Sequence, residues 1–160
     1  MELCQLDHPP LIETVFDEYV PVTITWPDYH KLLDIPLYVR YEGAGGLLEM
    51  KFHPDSSRLI EVVLVNAPGV RREHRCLYPA ATHVAVTACL SARSGGLPGL
   101  FGKLEVTAFD DYMVLAVESA PPLSWVGTAP VLFGLGESRQ VVALCVQWEP
   151  SARDLVLMAG

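Results

Sequence analysis

The sequence predicts a mainly β, antiparallel fold, built as a β-sandwich or flattened barrel of about eight strands with one short helix. Apolar residues recur at every second position along most of the chain, and helical periods are nearly absent. Turn-forming residues separate these segments into three hairpins. With 160 residues, 51% of them hydrophobic, the chain is long enough for one domain with its own core. We therefore expect a single domain over residues 1–160, with an α+β arrangement as the alternative.

The first elements are a strand over residues 19–25 and the only helix candidate. Pro21 places that strand at a sheet edge or forms its first residue, because proline has no N–H to donate. The helix begins near Thr25, carries Pro27 in its first turn and must stop before Pro36. It has room for two turns at most.

A three-stranded meander is predicted across residues 35–65. Its clearest strand alternates apolar and charged side chains: Leu48, Glu49, Met50, Lys51 and Phe52. One face of this strand is expected inside and the other in solvent. Pro54 and Asp55 lie in the turn that follows, and their fixed φ and local hydrogen bonds favour a hairpin.

Later segments predict two more hairpins and one further strand. The second hairpin joins residues 104–109 to 112–118, the third joins 141–148 to 154–158, and residues 84–90 form the additional strand. Glutamates 49, 61 and 105 face outward by alternation, where solvated carboxylates usually serve solubility.

Residues 119–136 contain no charged side chain. Repeated prolines and glycines exclude a helix there and indicate an apolar loop. Such a loop either covers the core or forms a contact patch, in which Trp125 and Phe133 are the aromatic anchors.

Charge is distributed unevenly along the chain. The formal net charge is −8. Residues 1–61 hold eleven acidic and four basic side chains, which is a net charge of −7. The rest of the chain holds eight acidic and seven basic side chains and is nearly neutral. An acidic surface repels nucleic acid and attracts a basic partner, although many proteins are this acidic for solubility alone.

The four cysteines, Cys4, Cys76, Cys89 and Cys145, are expected to be reduced. Cys89 and Cys145 lie in strand-like runs, where a thiol behaves as a small buried apolar group. The chain has neither an apolar run of about 18 residues nor a basic and apolar leader at its start. A cytoplasmic protein that does not enter a membrane is the expectation.

Catalytic and ligand-binding motifs are missing from the sequence. It has no Cys-x-x-Cys, no His-Glu-x-x-His, no Gly-x-Ser-x-Gly and no phosphate-binding glycine loop of the Walker type. We expect no metal, no cofactor and no catalytic residues. Nucleic-acid binding is also not expected, since the chain holds only three lysines.

The sequence therefore favours a non-catalytic protein-binding module, such as an inhibitor or immunity-type protein that neutralises a basic partner. Its candidate contacts are the acidic residues and aromatic side chains Asp17, Glu18, Tyr19, Trp26, Asp28, Tyr29, Trp125 and Phe133. The alternatives are a homo-oligomeric structural protein, or a small-ligand carrier or enzyme with a pocket inside the barrel. A filled interior would eliminate an interior pocket.

Overall fold

The computed structural model describes residues 1–74, 78–91 and 100–158. The strands are β1 (Glu2–Gln5), β2 (Glu13–Val15), β3 (Val22–Thr25), β4 (Leu37–Gly43), β5 (Gly46–Phe52), β6 (Leu59–Asn66), β7 (Arg71–Arg72), β8 (Ala81–Thr82), β9 (Val86–Cys89), β10 (Leu100–Gly102), β11 (Glu105–Ala108), β12 (Tyr112–Ala116), β13 (Ser124–Thr128), β14 (Val131–Leu135) and β15 (Val141–Gln147). A 3-10 helix spans Pro27–Lys31 and one α-helix, α1, spans Pro150–Met158.

These strands form two large open sheets and one small one. The six-stranded sheet has the order β10-β4-β5-β6-β3-β2, and the seven-stranded sheet has the order β7-β11-β12-β15-β14-β13-β8. Strands β1 and β9 pair separately. Most pairings are antiparallel, and the three parallel ones each involve a short edge strand, namely β10, β7 or β8. The predicted mainly β, sandwich-like fold is confirmed.

The core lies between the two large sheets. It combines inward side chains of the six-stranded sheet, such as Ile24, Met50 and Phe52, with those of the seven-stranded sheet, such as Leu115 and Phe133. Side chains from both sheets meet in one buried cluster, so this interior is filled, as expected for face-to-face sheet packing.

The meander and the second hairpin are confirmed. Strands β4, β5 and β6 are consecutive antiparallel neighbours, and β11 pairs with β12. Leu48, Met50 and Phe52 are fully buried, whereas Glu49 and Lys51 lie on the outer face of the sheet. The prediction of about eight strands is too low, because two- to four-residue strands carry too little alternation to be recognised.

The predicted third hairpin is wrong, since residues 154–158 are helical and belong to α1. Pro150 starts this helix, a position where its missing N–H costs nothing. Ala152 and Val156 are buried four residues apart, so one helix face covers the end of the core.

The apolar loop predicted over residues 119–136 is also wrong, because residues 124–135 form the β13–β14 hairpin. The helix-breaking residues do not prevent strands: Pro121 and Pro122 precede β13, and Pro130 lies in the turn. Gly127 has φ +129, a left-handed conformation that glycine adopts without strain.

The expectation of reduced cysteines is wrong for Cys4 and Cys89, which form a disulfide. Pairing of β1 with β9 brings their Cα atoms to 6.0 Å although 85 positions separate them in the sequence. Local sequence cannot reveal such a long-range pairing. Cys145 is free and buried, as expected, and Cys76 lies outside the described residues.

The predicted short helix after residue 25 corresponds to the 3-10 helix, which ends at Lys31. Within the described part of the chain, no helix is long and apolar enough to cross a bilayer.

Candidate functional site

Exposed apolar side chains cluster around β2, which is an edge strand of the six-stranded sheet. Leu11 is 87%, Val15 50% and Tyr19 80% exposed. Edge strands present unpaired backbone groups that can accept another strand. We call Leu11, Glu13, Val15, Glu18 and Tyr19 together the β2 edge surface.

The turn after β2 has a defined shape that displays Tyr19. The Tyr19 N–H donates to Asp17 Oδ1 at 2.7 Å, and the Val20 N–H donates to the same oxygen at 3.4 Å. The Asp17 side chain therefore stabilises the turn. Glu18 is exposed, and no ion pair joins it to a described residue.

Asp28 and Tyr29 lie at the opposite end of the β2–β3 hairpin from Asp17. In that hairpin Glu13 is opposite Thr25 and Val15 is opposite Thr23. The chain that leaves β3 toward Asp28 therefore starts beside Glu13, whereas Asp17 follows Val15. Asp28 Oδ1 is 3.2 Å from Lys31 Nζ, which neutralises its charge.

The predicted aromatic contacts are scattered. Trp26 and Phe133 are core residues, 3% and 1% exposed, so a partner on the surface cannot reach them. The backbone N–H of Trp26 donates to the Ile60 carbonyl oxygen at 2.9 Å, which fixes the backbone of this residue against β6. Trp125 is partly exposed, but it lies on the seven-stranded sheet, away from the β2 edge surface.

The three outward carboxylates do not form a catalytic group. Glu49 and Glu61 lie on the outer face of the six-stranded sheet and Glu105 on the seven-stranded sheet. Each has its own cation: Arg40 Nε is 2.6 Å from Glu49 Oε1, Lys51 Nζ contacts Glu61 Oε2, and Arg71 Nη2 is 3.1 Å from Glu105 Oε2. A set of carboxylates for proton transfer is thus not assembled.

The Lys51–Glu61 pair is buried, which alternation alone did not indicate. Their side chains are 17% and 7% exposed. The Lys51 ammonium lies 5.4 Å from the Tyr29 ring centroid and 5.9 Å from that of Tyr38. Burial by itself would lower the pKa of Lys51, but the hydrogen bond and charge of Glu61 outweigh it and raise this pKa.

An open pocket of about 470 Å³ occupies the outer face of the seven-stranded sheet. Its lining consists of Glu73, Pro79, Ala80, Thr107, Phe109, Tyr112, Val114, Pro122 and Trp125. The Phe109 and Tyr112 rings stack at 4.4 Å between centroids. Because this face points away from the other large sheet, the pocket is separate from the sandwich interior.

Cys145 lies under the same face, in a cluster with Tyr112 and Tyr78. Burial raises the pKa of the Cys145 thiol, the neighbouring Tyr78 hydroxyl opposes that rise, and the Asp111 carboxylate adds to it. Burial also raises the pKa of Tyr78. A thiol held in its protonated form is a poor nucleophile, so burial works against nucleophilic chemistry at Cys145.

Sequence reasoning did not identify the pocket residues Glu73, Thr107, Phe109 and Tyr112. Phe109 and Tyr112 flank the turn of the second hairpin, and two aromatic residues at one hairpin end were the available signal. The remaining walls come from the parallel pairing of β8 with β13, which has no local sequence signature.

Among the described residues, no group of three or more histidine, cysteine, aspartate or glutamate side chains is arranged to hold a metal ion. No protein-family model and no curated protein matches this chain. Its function therefore has to be inferred from its own surfaces.

Proposed function

We propose that this chain is a non-catalytic protein-binding module that binds a basic, extended segment of a partner protein along strand β2. The observation that carries the proposal is the exposure of Val15 in the edge strand β2 and of Leu11 and Tyr19 in the segments that flank it, beside the carboxylates of Glu13 and Glu18. Apolar anchors with a charged rim are typical of protein interfaces.

Strand addition is the binding mode that this edge favours. An extended peptide would pair with the backbone of β2, and alternate side chains would meet Glu13 and Val15, which share one face of the strand. Basic side chains would be attracted by Glu13 and Glu18. An inhibitor or immunity-type protein that neutralises a basic partner would act in this way, by occlusion.

Charge argues against a second copy of this chain as the occupant. Two β2 strands placed side by side would bring Glu13 and Glu18 of one copy near those of the other, and like charges across a strand pair are destabilising. The net charge of −8 adds a general repulsion between copies.

Affinity capture with a surface variant tests the proposal. The variant combines Glu18→Lys with Tyr19→Ala, which leaves the Asp17 turn intact. Its matched control combines Glu137→Lys with Met158→Ala, since Glu137 and Met158 are also an exposed acid and an exposed apolar residue. We expect the wild type and the control to capture the same basic protein and the surface variant to lose it.

Association kinetics with the captured protein then test the electrostatic part. The association rate constant should fall roughly tenfold between 50 and 500 mM salt, because salt screens the exposed carboxylates. A partner that the surface variant retains with unchanged kinetics, or a dimer of this chain that the same variant abolishes, would contradict the proposal.

A further inference from the structure

The pocket on the outer face of the seven-stranded sheet has walls that backbone geometry holds in place. An added Cβ at Gly134 would lie 2.8 Å from the Pro122 Cβ and 3.1 Å from the Trp125 Cζ3. Trp125 is opposite Gly134 in the β13–β14 register. Glycine therefore leaves room for the indole and Pro122 to lie directly on the sheet and form one wall of the pocket.

Aromatic rings form the floor of the pocket. Phe109 and Tyr112 stack on each other and are 7% and 3% exposed, so only a small part of each ring faces the pocket. Tyr78 packs edge-on against Tyr112 at 5.5 Å between centroids and supports it from the side. These packed rings give the floor a fixed shape before any ligand binds.

Among the described lining residues of this aromatic pocket, the charge is negative. Glu73 is the single charged residue among the described lining residues. Its N–H donates to the Ala108 carbonyl oxygen at 2.9 Å, which fixes the backbone beside Phe109. Within the described residues no ion pair joins Glu73 to a cation: its neighbours Arg71 and His74 are near other carboxylates, and the adjacent Arg72 is exposed.

We propose that this pocket binds an alkylated ammonium ion, a site additional to the β2 edge surface. The face of an aromatic ring carries negative potential, and a carboxylate at the rim adds to it, so both features favour a cation over an anion. Alkyl groups on the ammonium contact the rings and the prolines, and a weakly hydrated ion loses little on leaving water. The volume of about 470 Å³ admits such a group.

Titration calorimetry and amide NMR with choline test the site directly. We expect choline to bind with a dissociation constant of about 1–10 mM. The shifted amides should be those of Glu73, Thr107, Val114 and Trp125. Its neutral isostere 3,3-dimethylbutan-1-ol should bind at least about fivefold more weakly, since only the charge differs.

Two variants distinguish the contribution of the Glu73 charge to choline binding from that of the Trp125 wall. Glu73→Gln should weaken choline binding about three- to tenfold, and Glu137→Gln, an exposed acid elsewhere, should leave it unchanged. Gly134→Ala should displace Trp125 and reduce the binding more strongly. Far-ultraviolet circular dichroism checks that each variant keeps its sheet content.

A short peptide with a trimethylated lysine distinguishes a free ligand from a protein side chain. Tighter binding of the peptide than of choline assigns the cation to a polypeptide, and the reverse assigns it to a free metabolite; both support the site. Equal binding of choline and its neutral isostere, an unchanged affinity in Glu73→Gln, or no binding of choline and peptide would each overturn the proposal.

Discussion

Replacing Lys51 by methionine tests how the outer face of the six-stranded sheet is stabilised. The change removes the cation that faces Glu61, whose side chain is 7% exposed, and leaves a carboxylate buried without its partner. Breaking a buried ion pair by removing one member costs about 3–5 kcal/mol. We expect the lower end, about 3 kcal/mol, because Lys51 is 17% exposed and water can partly replace it.

Urea unfolding of a set of variants measures this cost. With a slope of about 2 kcal/mol/M, Lys51→Met should lower the midpoint by about 1.5 M. The double variant Lys51→Met/Glu61→Leu should recover most of the loss, since it leaves no buried charge. Arg40→Met is the matched control: Arg40 is 54% exposed in its pair with Glu49 on the same sheet face, so its loss should be under about 1 kcal/mol.

The pH dependence of Lys51→Met provides an independent check. In the folded wild type the hydrogen bond and charge of Glu61 outweigh burial and raise the pKa of Lys51, so the wild type loses stability as the pH rises above the ordinary lysine pKa of 10.5, a loss that Lys51→Met does not have. The deficit of Lys51→Met relative to the wild type should therefore be smaller at pH 11 than at pH 8. A deficit equal to that of Arg40→Met, or a double variant no more stable than Lys51→Met, would refute the reasoning.

Further predictions concern the disulfide, the loss of stability at alkaline pH and the turn between β4 and β5. Reduction with dithiothreitol should lower the free energy of unfolding by about 4 kcal/mol, because the disulfide joins Cys4 and Cys89, which are 85 positions apart. A Cys4→Ala/Cys89→Ala variant should not respond to dithiothreitol. Equal wild-type stability with and without the reductant would contradict this prediction. Burial, followed by the charge of Glu118, raises the pKa of Tyr41 from 10.0 to about 12. The folded state therefore keeps the Tyr41 proton to a higher pH than the unfolded chain, and the free energy of unfolding should fall by up to about 3 kcal/mol from pH 10 to 12. The variant Tyr41→Phe should show a smaller fall. Parallel pH curves for the wild type and Tyr41→Phe would contradict this prediction. Gly46→Ala should cost more than about 2 kcal/mol in thermal unfolding, since φ is +116 and the added Cβ would overlap the Asn66 carbonyl oxygen; a wild-type melting temperature would be inconsistent with this geometry.

The sheet content was predictable because strands have a local signature. Leu48, Met50 and Phe52 alternate with charged residues, and a period of two places them on one face whatever the neighbouring strands are. The sequence pattern does not predict the element correctly where a segment is short or fits a strand and a helix equally well. Residues 154–158 support a strand and a helix about equally as a local pattern, and α1 forms because Ala152 and Val156 reach the core together.

The candidate sites were predictable only in part. The acidic excess of residues 1–61 and the aromatic side chains within it predict Glu18 and Tyr19 as contacts, and both side chains are exposed in the structure. It did not show that Trp26 is buried, that Asp28 is paired with Lys31, or that Phe109 and Trp125 share a pocket. The first and the third depend on which strands become neighbours, and the second depends on the 3-10 turn that brings Lys31 back to Asp28.

The sequence by itself determined that this chain is mainly β, where its meander lies and where its acidic residues are concentrated, because strand period, turn chemistry and charge are properties of a few consecutive residues. Only the tertiary structure decided that Cys4 meets Cys89, that Glu61 is buried with Lys51 and that a pocket forms outside the sandwich. The disulfide and the pocket join residues far apart in the chain, and they form when the packing of two whole sheets compensates the entropy of closing long loops. Lys51 and Glu61 are near in the sequence, but the Tyr29 and Tyr38 rings close to Lys51 come from other elements.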